Sequence, residues 1–235
     1  MVNLSNPREV KKFAEQEGIP VEAVYKMEIQ HKSQLIEQTP DNSRLYSERG
    51  QAYHAIHNYD LAIQDFLKVI ELTPDKVHGY YYLGETYTAL GENKEAIEYF
   101  TKAIEFKDYK YTLSAYKRLS DVYFYMHDYS KSLEVLNEAL QLDSPDKPEL
   151  HRCRCRIYQA LGDKDSADKD FYYWKNWMLN SLKKQELSKM SRFEKEDMLA
   201  FLFTKMTEEE QDDILAQVIF NNTADIQKLV KSMGY

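Results

Sequence analysis

Apolar residues recur along this chain with the spacing of one helical face. In the stretch that begins at residue 77, Tyr80, Leu83, Gly84 and Tyr87 occupy positions i, i+3, i+4 and i+7, which is the period of an amphipathic helix. A second apolar run with helical spacing follows around Ala96. The stretch therefore predicts two helices joined by a short turn.

The two-helix pattern recurs after 34 residues and is found four times, in residues 43–76, 77–110, 113–146 and 148–181. Four landmark positions carry it. In chain order they hold Gly50, Tyr53, Ala62 and Phe66; Gly84, Tyr87, Ala96 and Phe100; Ser120, Tyr123, Ser132 and Leu136; and Cys155, Tyr158, Ala167 and Phe171. A fixed period of this length is typical of stacked repeats, because one helix pair cannot bury its own apolar face.

The pattern resembles the tetratricopeptide repeat. The residues that carry the resemblance best are Tyr80, Leu83, Gly84 and Tyr87 followed by Ala96, Phe100 and Ala103. The resemblance implies an all-α, right-handed helical-repeat solenoid whose first helices line an open, concave groove. It also implies a function in holding other molecules, without naming them.

Small residues at fixed places support this prediction. A glycine inside a helix costs about 1 kcal/mol relative to alanine, so Gly84 requires a reason, and we expect close approach of the second helix of its repeat. Gly91 and Gly162 stand where a first helix must turn, which is the usual place for glycine. His57 and His127 occupy the same place in the other two repeats.

Both flanks of the array are predicted to be helical. Residues 1–42 predict a helix pair, Pro7 to about Gln16 and Pro20 to about Gln38, that caps the array or forms a degenerate repeat. Residues 182–235 predict a C-terminal helical extension, with capping boxes at Ser191–Glu194 and Thr207–Glu210 before apolar runs. We expect this extension to pack on the fourth repeat, on the groove, on itself or on a partner.

Composition narrows the classes of function. With 43% hydrophobic and 30% charged residues, the chain has the balance of a soluble globular protein. Its net charge of −8 argues against nucleic acid or an anionic membrane as a partner. Cys153 and Cys155 lie two apart on a predicted helix and point to different sides. These unpaired thiols, and an N-terminus without signal-peptide pattern, lead us to expect a cytoplasmic protein.

The predicted groove combines basic and aromatic residues, which are favoured at binding hot spots. We expect it to bind a protein or peptide, acidic or amphipathic, and the chain to act as an adaptor, scaffold, assembly factor or dedicated chaperone. The predicted partner-binding residues are Gln51, His54, His78, Tyr81, Tyr82, Glu85, Lys117, Arg118, Asp121, Tyr125, Arg152 and Arg156. The two-carboxylate clamp of some repeat co-chaperones is not predicted, because only Arg118 matches its pattern.

Two alternatives stay open. Phe13, Ala14, Gly18, Ile19, Val24 and Met27 match the apolar spacing of a DNA-reading helix-turn-helix, although Glu17 stands where an apolar residue is expected. That alternative is a transcriptional regulator, and the other is a homo-oligomer formed through the C-terminal helices. We predict no enzyme and no catalytic, metal or cofactor site, since Gly79–Gly84 has Glu85 where a phosphate-binding loop needs lysine.

Overall fold

The computed structural model describes residues 7–106, 109–142 and 147–183, and these residues form ten α-helices. The helices are α1 Pro7–Glu17, α2 Val21–Gln38, α3 Ser43–Ala55, α4 Tyr59–Leu72, α5 Val77–Leu90, α6 Asn93–Glu105, α7 Tyr109–Tyr125, α8 Tyr129–Gln141, α9 Lys147–Leu161 and α10 Lys164–Lys183. From α2 to α8 each helix packs on the next, and the first helices α3, α5 and α7 also contact one another. The predicted all-α repeat solenoid is confirmed. A boundary between two compact units falls between Ile157 and Tyr158, within α9.

The helix crossings within the first two repeats depend on glycine, as predicted. A Cβ atom added at Gly84 would lie 2.6 Å from Cδ1 of Phe100, and one added at Gly50 would lie 2.7 Å from Cε1 of Phe66. Both phenylalanines are buried, and Ala62 on α4 is fully buried beside Phe66. Any side chain in place of these glycines would overlap the ring that fills the crossing.

The third repeat replaces this apolar crossing with a buried hydrogen-bonded pair. Ser120 on α7 and Ser132 on α8 are 2% and 0% exposed, and their Oγ atoms lie 2.8 Å apart. Ser132 Oγ also donates to the backbone carbonyl of Ser120 at 2.8 Å. The hydroxyls satisfy each other, so the repeat keeps a close crossing without glycine or alanine.

The turn between the two helices of each repeat has one left-handed residue. The values of φ are 61° at His57, 78° at Gly91, 60° at His127 and 76° at Gly162. The sequence alignment of glycine with histidine at this place is thus confirmed. In both histidine turns, ring Nδ1 lies within 2.9 Å of the hydroxyl of the tyrosine two residues on, Tyr59 or Tyr129.

Helix boundaries differ from the repeat frame at two places. Helix α7 begins at Tyr109, before the predicted repeat start at Leu113. Helix α10 has 20 residues and runs to Lys183, because residues 164–183 contain no glycine or proline that would end it. The helices predicted near Pro7–Gln16 and Pro20–Gln38 are found as α1 and α2. The capping boxes at Ser191 and Thr207 lie outside the described residues.

The apolar residues of the N-terminal helix pair are used for packing. Val10 and Ala14 of α1, Val24 and Tyr25 of α2, and Ala52 of α3 form one buried cluster, and α2 packs on α3. Of the residues whose spacing suggested a helix-turn-helix, Ala14 and Val24 therefore serve attachment to the first repeat, and Phe13 and Ile19 pack against the same cluster, whereas Met27 is 56% exposed.

A buried polar network strengthens that attachment. Arg49 of α3 donates from Nε and Nη2 to the two carboxylate oxygens of Asp65 on α4, at 2.9 and 2.7 Å, and from Nη1 to Ser33 of α2 at 3.0 Å. Lys32 of α2 pairs with Glu48 of α3 at 2.7 Å. The Asp65 carboxylate raises the pKa of Arg49, although burial opposes this. Three consecutive helices are thus joined by paired charges.

Candidate partner-binding face

The predicted binding residues all lie on first helices, and each is half-buried or exposed. They are distributed as Gln51 and His54 on α3; His78, Tyr81, Tyr82 and Glu85 on α5; Lys117, Arg118, Asp121 and Tyr125 on α7; and Arg152 and Arg156 on α9. We call this surface the first-helix face. It belongs to the unit that ends at Ile157.

Ion pairs connect neighbouring first helices across this face. Nε of Arg118 on α7 lies 2.8 Å from the Glu85 carboxylate on α5, and the Arg118 side chain is 51% exposed. Arg156 on α9 pairs through Nη2 with Asp121 on α7 and is 43% exposed. The Arg156 guanidinium also lies over the ring of Phe124, 4.5 Å from its centroid. Each arginine is fixed by a carboxylate on the preceding first helix while it stays accessible.

A third group of charges lies around Glu149 at the start of α9. Its carboxylate accepts from Nε and Nη2 of Arg152, at 2.6 Å for the shortest contact, and lies 3.5 Å from Nζ of Lys117 on α7. We call the seven residues in these pairs the charge ladder: Glu85, Lys117, Arg118, Asp121, Glu149, Arg152 and Arg156. The predicted basic residues thus lie on the first-helix face as members of ion pairs.

Aromatic rings form the adjoining part of the face. Tyr81 and Tyr82 of α5 and Tyr111 of α7 contact one another edge to face, with ring centroids 5.4 to 6.2 Å apart. His78 packs on Tyr111 at 4.5 Å, and Tyr82 stacks on the buried Phe66 at 5.3 Å. We call the three tyrosines the tyrosine cluster. Its side chains are hydrogen-bonded within the face, Tyr82 to Tyr111 and Tyr81 to Arg118, so the cluster offers ring surface beside the charges.

The electrostatics of the face keep its donors protonated. Burial raises the pKa of Tyr81 and of Tyr82, so both hydroxyls retain their protons at neutral pH. Although burial acts in the opposite direction, the Glu85 carboxylate raises the pKa of Arg118. Burial lowers the pKa of His54, which favours the neutral ring. Burial also raises the pKa of Cys153 to about 11, so its thiol is not a nucleophile at neutral pH.

Solved structures resemble this arrangement of helix pairs. MamA has 21% sequence identity and a TM-score of 0.56, with 74% of this chain and 95% of MamA covered. A Podosopora anserina kinesin light chain with nearly identical TPR-like repeats has 18% identity and a TM-score of 0.57, with 77% and 99% covered. A thermophilic TPR protein of Thermus thermophilus has 17% identity and a TM-score of 0.51, with 73% and 90% covered.

The chain has the tetratricopeptide-repeat fold. The resemblance inferred from the residues is confirmed at this level. The family profile of regulator of microtubule dynamics protein 1-3 matches residues 55–118, a stretch from the end of α3 to α7 that amounts to less than half of the chain. No curated protein matches the chain.

Gln51, His54 and Tyr125 of this tetratricopeptide-repeat face lie outside the charge ladder and the tyrosine cluster. Gln51 donates to the backbone carbonyl and Oγ of Ser47 on its own helix, at 3.2 and 3.3 Å. His54 packs edge-on against Tyr59, with centroids 5.3 Å apart. Tyr125 contacts Phe124 and is 72% exposed. The sequence correctly predicted that these three residues lie on first helices, but it did not distinguish them from the residues of the charge ladder.

Sequence reasoning missed two members of the site. Tyr111 holds the centre of the tyrosine cluster, but it precedes the repeat frame that starts at Leu113, because α7 begins earlier than the frame. Glu149 anchors Lys117 and Arg152. The sequence does indicate the Glu149–Arg152 pair, since an acidic residue three positions before an arginine on the same helix predicts an ion pair.

The groups on the first-helix face are suited to non-covalent contacts. Its guanidinium groups and tyrosine hydroxyls are hydrogen-bond donors, and its ring faces provide packing surface. Burial raises the pKa of the Cys153 thiol, which favours the protonated form. Across the described parts of the chain, His, Cys, Asp and Glu are not grouped as three or more metal ligands. Within those same residues, each helix is too short or too polar to cross a membrane.

Proposed function

We propose that the chain is a non-catalytic protein-interaction module that holds a segment of a partner protein in a concave groove lined by its first helices. It would act as an adaptor, an assembly factor or a dedicated chaperone. In this proposal the four repeats of residues 43–181 carry binding and residues 1–42 cap them. Cys153 and Cys155 form no disulfide, which suits a reducing, cytoplasmic setting.

The observation that carries this proposal is that two arginines of the face are paired and still exposed. Arg118 is held by the Glu85 carboxylate and by Tyr81, and Arg156 is held by Asp121, yet their side chains are 51% and 43% exposed. A guanidinium has five N–H donors in a fixed fork, so one fixed edge orients the group for a second acceptor. Less side-chain entropy is then lost on binding than for a free arginine.

The neighbouring aromatic surface limits the chemistry of the partner. The tyrosine cluster and the exposed Tyr125 provide contact area beside the arginines, and such residues commonly dominate binding energy. Carboxylates suit the arginines, while aromatic or aliphatic side chains suit the tyrosines. We therefore propose an acidic or amphipathic segment as the partner, bound by the residues predicted from the sequence.

The experiment compares two charge-reversed variants of the full chain in affinity capture. Arg118→Glu with Arg152→Glu alters the first-helix face. Lys68→Glu with Lys102→Glu makes the same change in charge on second helices, where each lysine also pairs with a glutamate and is at least 35% exposed. We expect specific partners to be retained by the native chain and the control but lost by the first variant, through like-charge repulsion.

The proposal fails if both variants retain the same partners as the native chain. Circular dichroism of both variants must first show unchanged helicity. A partner lost by both variants alike would indicate a general charge effect and would also contradict a specific role of the first-helix face. Capture of nucleic acid in place of protein would favour the regulator alternative.

A further inference from the structure

An acidic and then apolar segment of the chain complements the first-helix face. Residues 207–220 read TEEEQDDILAQVIF, and their conformation lies outside the described residues. Five carboxylates come first, at Glu208, Glu209, Glu210, Asp212 and Asp213, and an apolar run follows. The segment therefore has a block of carboxylates followed by a block of apolar side chains, which are the two features expected of an acidic amphipathic ligand of this face.

The face has the matching two blocks. In the charge ladder, four basic side chains meet three carboxylates, so the ladder has an excess of positive charge although the chain as a whole has a net charge of −8. The tyrosine cluster begins one helical turn before the charges, since Tyr81 and Tyr82 precede Glu85 on α5. An acidic block over the arginines thus places an adjoining apolar block within reach of aromatic surface.

The face and the segment belong to different compact units of the chain. The face lies in residues 1–157, whereas residues 207–220 lie in the second unit, 158–235. We propose that the first-helix face binds residues 207–220 of a second copy of this chain. This inference rests on the proposed function, because it uses the same face and names its ligand.

Such a contact joins two different surfaces, so it is heterologous, and a pair of bound chains still offers one free face and one free segment. Association should therefore grow with concentration and continue beyond a dimer. Because exposed charges form the contact, it should weaken when salt shortens the Debye length from about 10 Å at 0.1 M to about 3 Å at 1 M.

Sedimentation of the full chain and of two variants tests the proposal. Variant one carries Arg118→Ala and Arg156→Ala, and variant two carries Glu208→Gln, Glu209→Gln and Glu210→Gln, so that neither variant acquires a charge complementary to the other. Each should associate at least about tenfold more weakly than the native chain, equal to about 1.4 kcal/mol. A mixture of the two should form a one-to-one complex that grows no further, because variant one keeps a native segment and variant two a native face.

The mixture separates the proposal from damage to folding, since a misfolded variant would not pair. A native chain that is monomeric at every concentration overturns the inference, as does a mixture of two helical variants that stays monomeric. If variant one has lost helicity, Arg118→Gln with Arg156→Gln replaces it, with the same expected result. A fluorescent peptide of residues 207–220 should also bind the native chain more tightly than its Glu→Gln counterpart.

The two proposals fail in different ways. If the chain does not associate with itself but other proteins are still lost by the Arg118→Glu, Arg152→Glu variant, the proposed function stands and the named ligand is wrong. If the chain associates with itself but no other protein depends on the face, the face serves self-assembly alone.

Discussion

Replacement of Gly84 by alanine tests the packing of the repeat most directly. The added Cβ would lie 2.6 Å from both Cδ1 and Cε1 of Phe100 and 2.9 Å from its Cγ. Favourable carbon contacts lie near 3.5–4.0 Å. Phe100 is fully buried, and its ring also contacts that of Tyr81. The ring therefore has little room to move away from a methyl group.

The sign of the stability change follows from two opposing effects. On a free helix, alanine in place of glycine stabilises by about 1 kcal/mol. Overpacking of a well-packed core costs about 1–3 kcal/mol. Since the overlap at Gly84 involves two ring atoms at 2.6 Å, we expect overpacking to dominate and Gly84→Ala to destabilise the fold by about 1–2 kcal/mol. Gly84→Leu should destabilise it further.

Urea unfolding followed by circular dichroism measures this change, and the thermal midpoint should fall by about 2–4 °C per kcal/mol. Phe100→Leu provides the control, because a smaller side chain removes the overlap. In the Phe100→Leu background, Gly84→Ala should reduce the free energy of unfolding by about 1 kcal/mol less than in the native chain. This difference is the coupling energy that a double-mutant cycle measures. A Gly84→Ala chain as stable as the native one, with no coupling to Phe100, would refute the predicted crossing.

Three further predictions concern single contacts. Asp65→Ala should cost about 1–3 kcal/mol in urea unfolding, because it leaves the half-buried Arg49 guanidinium without its carboxylate; no measurable loss would contradict a stabilising pair. His127→Gly should change stability by less than about 1 kcal/mol, since relief of a left-handed residue, about 1–2 kcal/mol, offsets the lost hydrogen bond to Tyr129; a large loss of thermal stability would contradict this balance. Cys153 is half-buried, and loss of solvent around its thiol raises its pKa to about 11; it should react with a thiol reagent far more slowly at pH 8 than a free cysteine, and rapid reaction at this residue would contradict the raised pKa.

Residues that define the repeat were predictable because each solves a packing problem that recurs. Gly50 and Gly84 both meet a phenylalanine at the helix crossing, and one period in the sequence locates both. The left-handed turn is similarly local, so histidine at position 57 could be aligned with Gly91 from the spacing alone. Periodicity thus predicted helices, pairs and turns, but it did not predict the early start of α7.

Charge pairing between helices was not predictable in this way. Asp65 lies on the buried face of α4, between Ala62 and Phe66 in the core, and a carboxylate at such a position indicates a partner. The sequence does not identify that partner as Arg49, because the choice depends on how two helices cross. The same holds for Arg118: the sequence predicted its place on the first-helix face but not its ion pair with Glu85.

Two neighbouring positions on each first helix have different roles, one in the packing of the repeat and the next in the charge of its surface. Gln51, Glu85, Asp121 and Arg156 each follow the small or landmark residue of their repeat, Gly50, Gly84, Ser120 or Cys155, so they share one repeat position. The preceding position must stay small or buried to permit the crossing, whereas this one is half-buried or exposed and varies in charge. At this position Asp121 on α7 pairs with Arg156 on α9, whereas Glu85 on α5 pairs with Arg118, which lies three residues earlier in its own repeat. We therefore expect substitutions at this position to change the charge of the face at a small cost in stability, and substitutions one residue earlier to disrupt the fold.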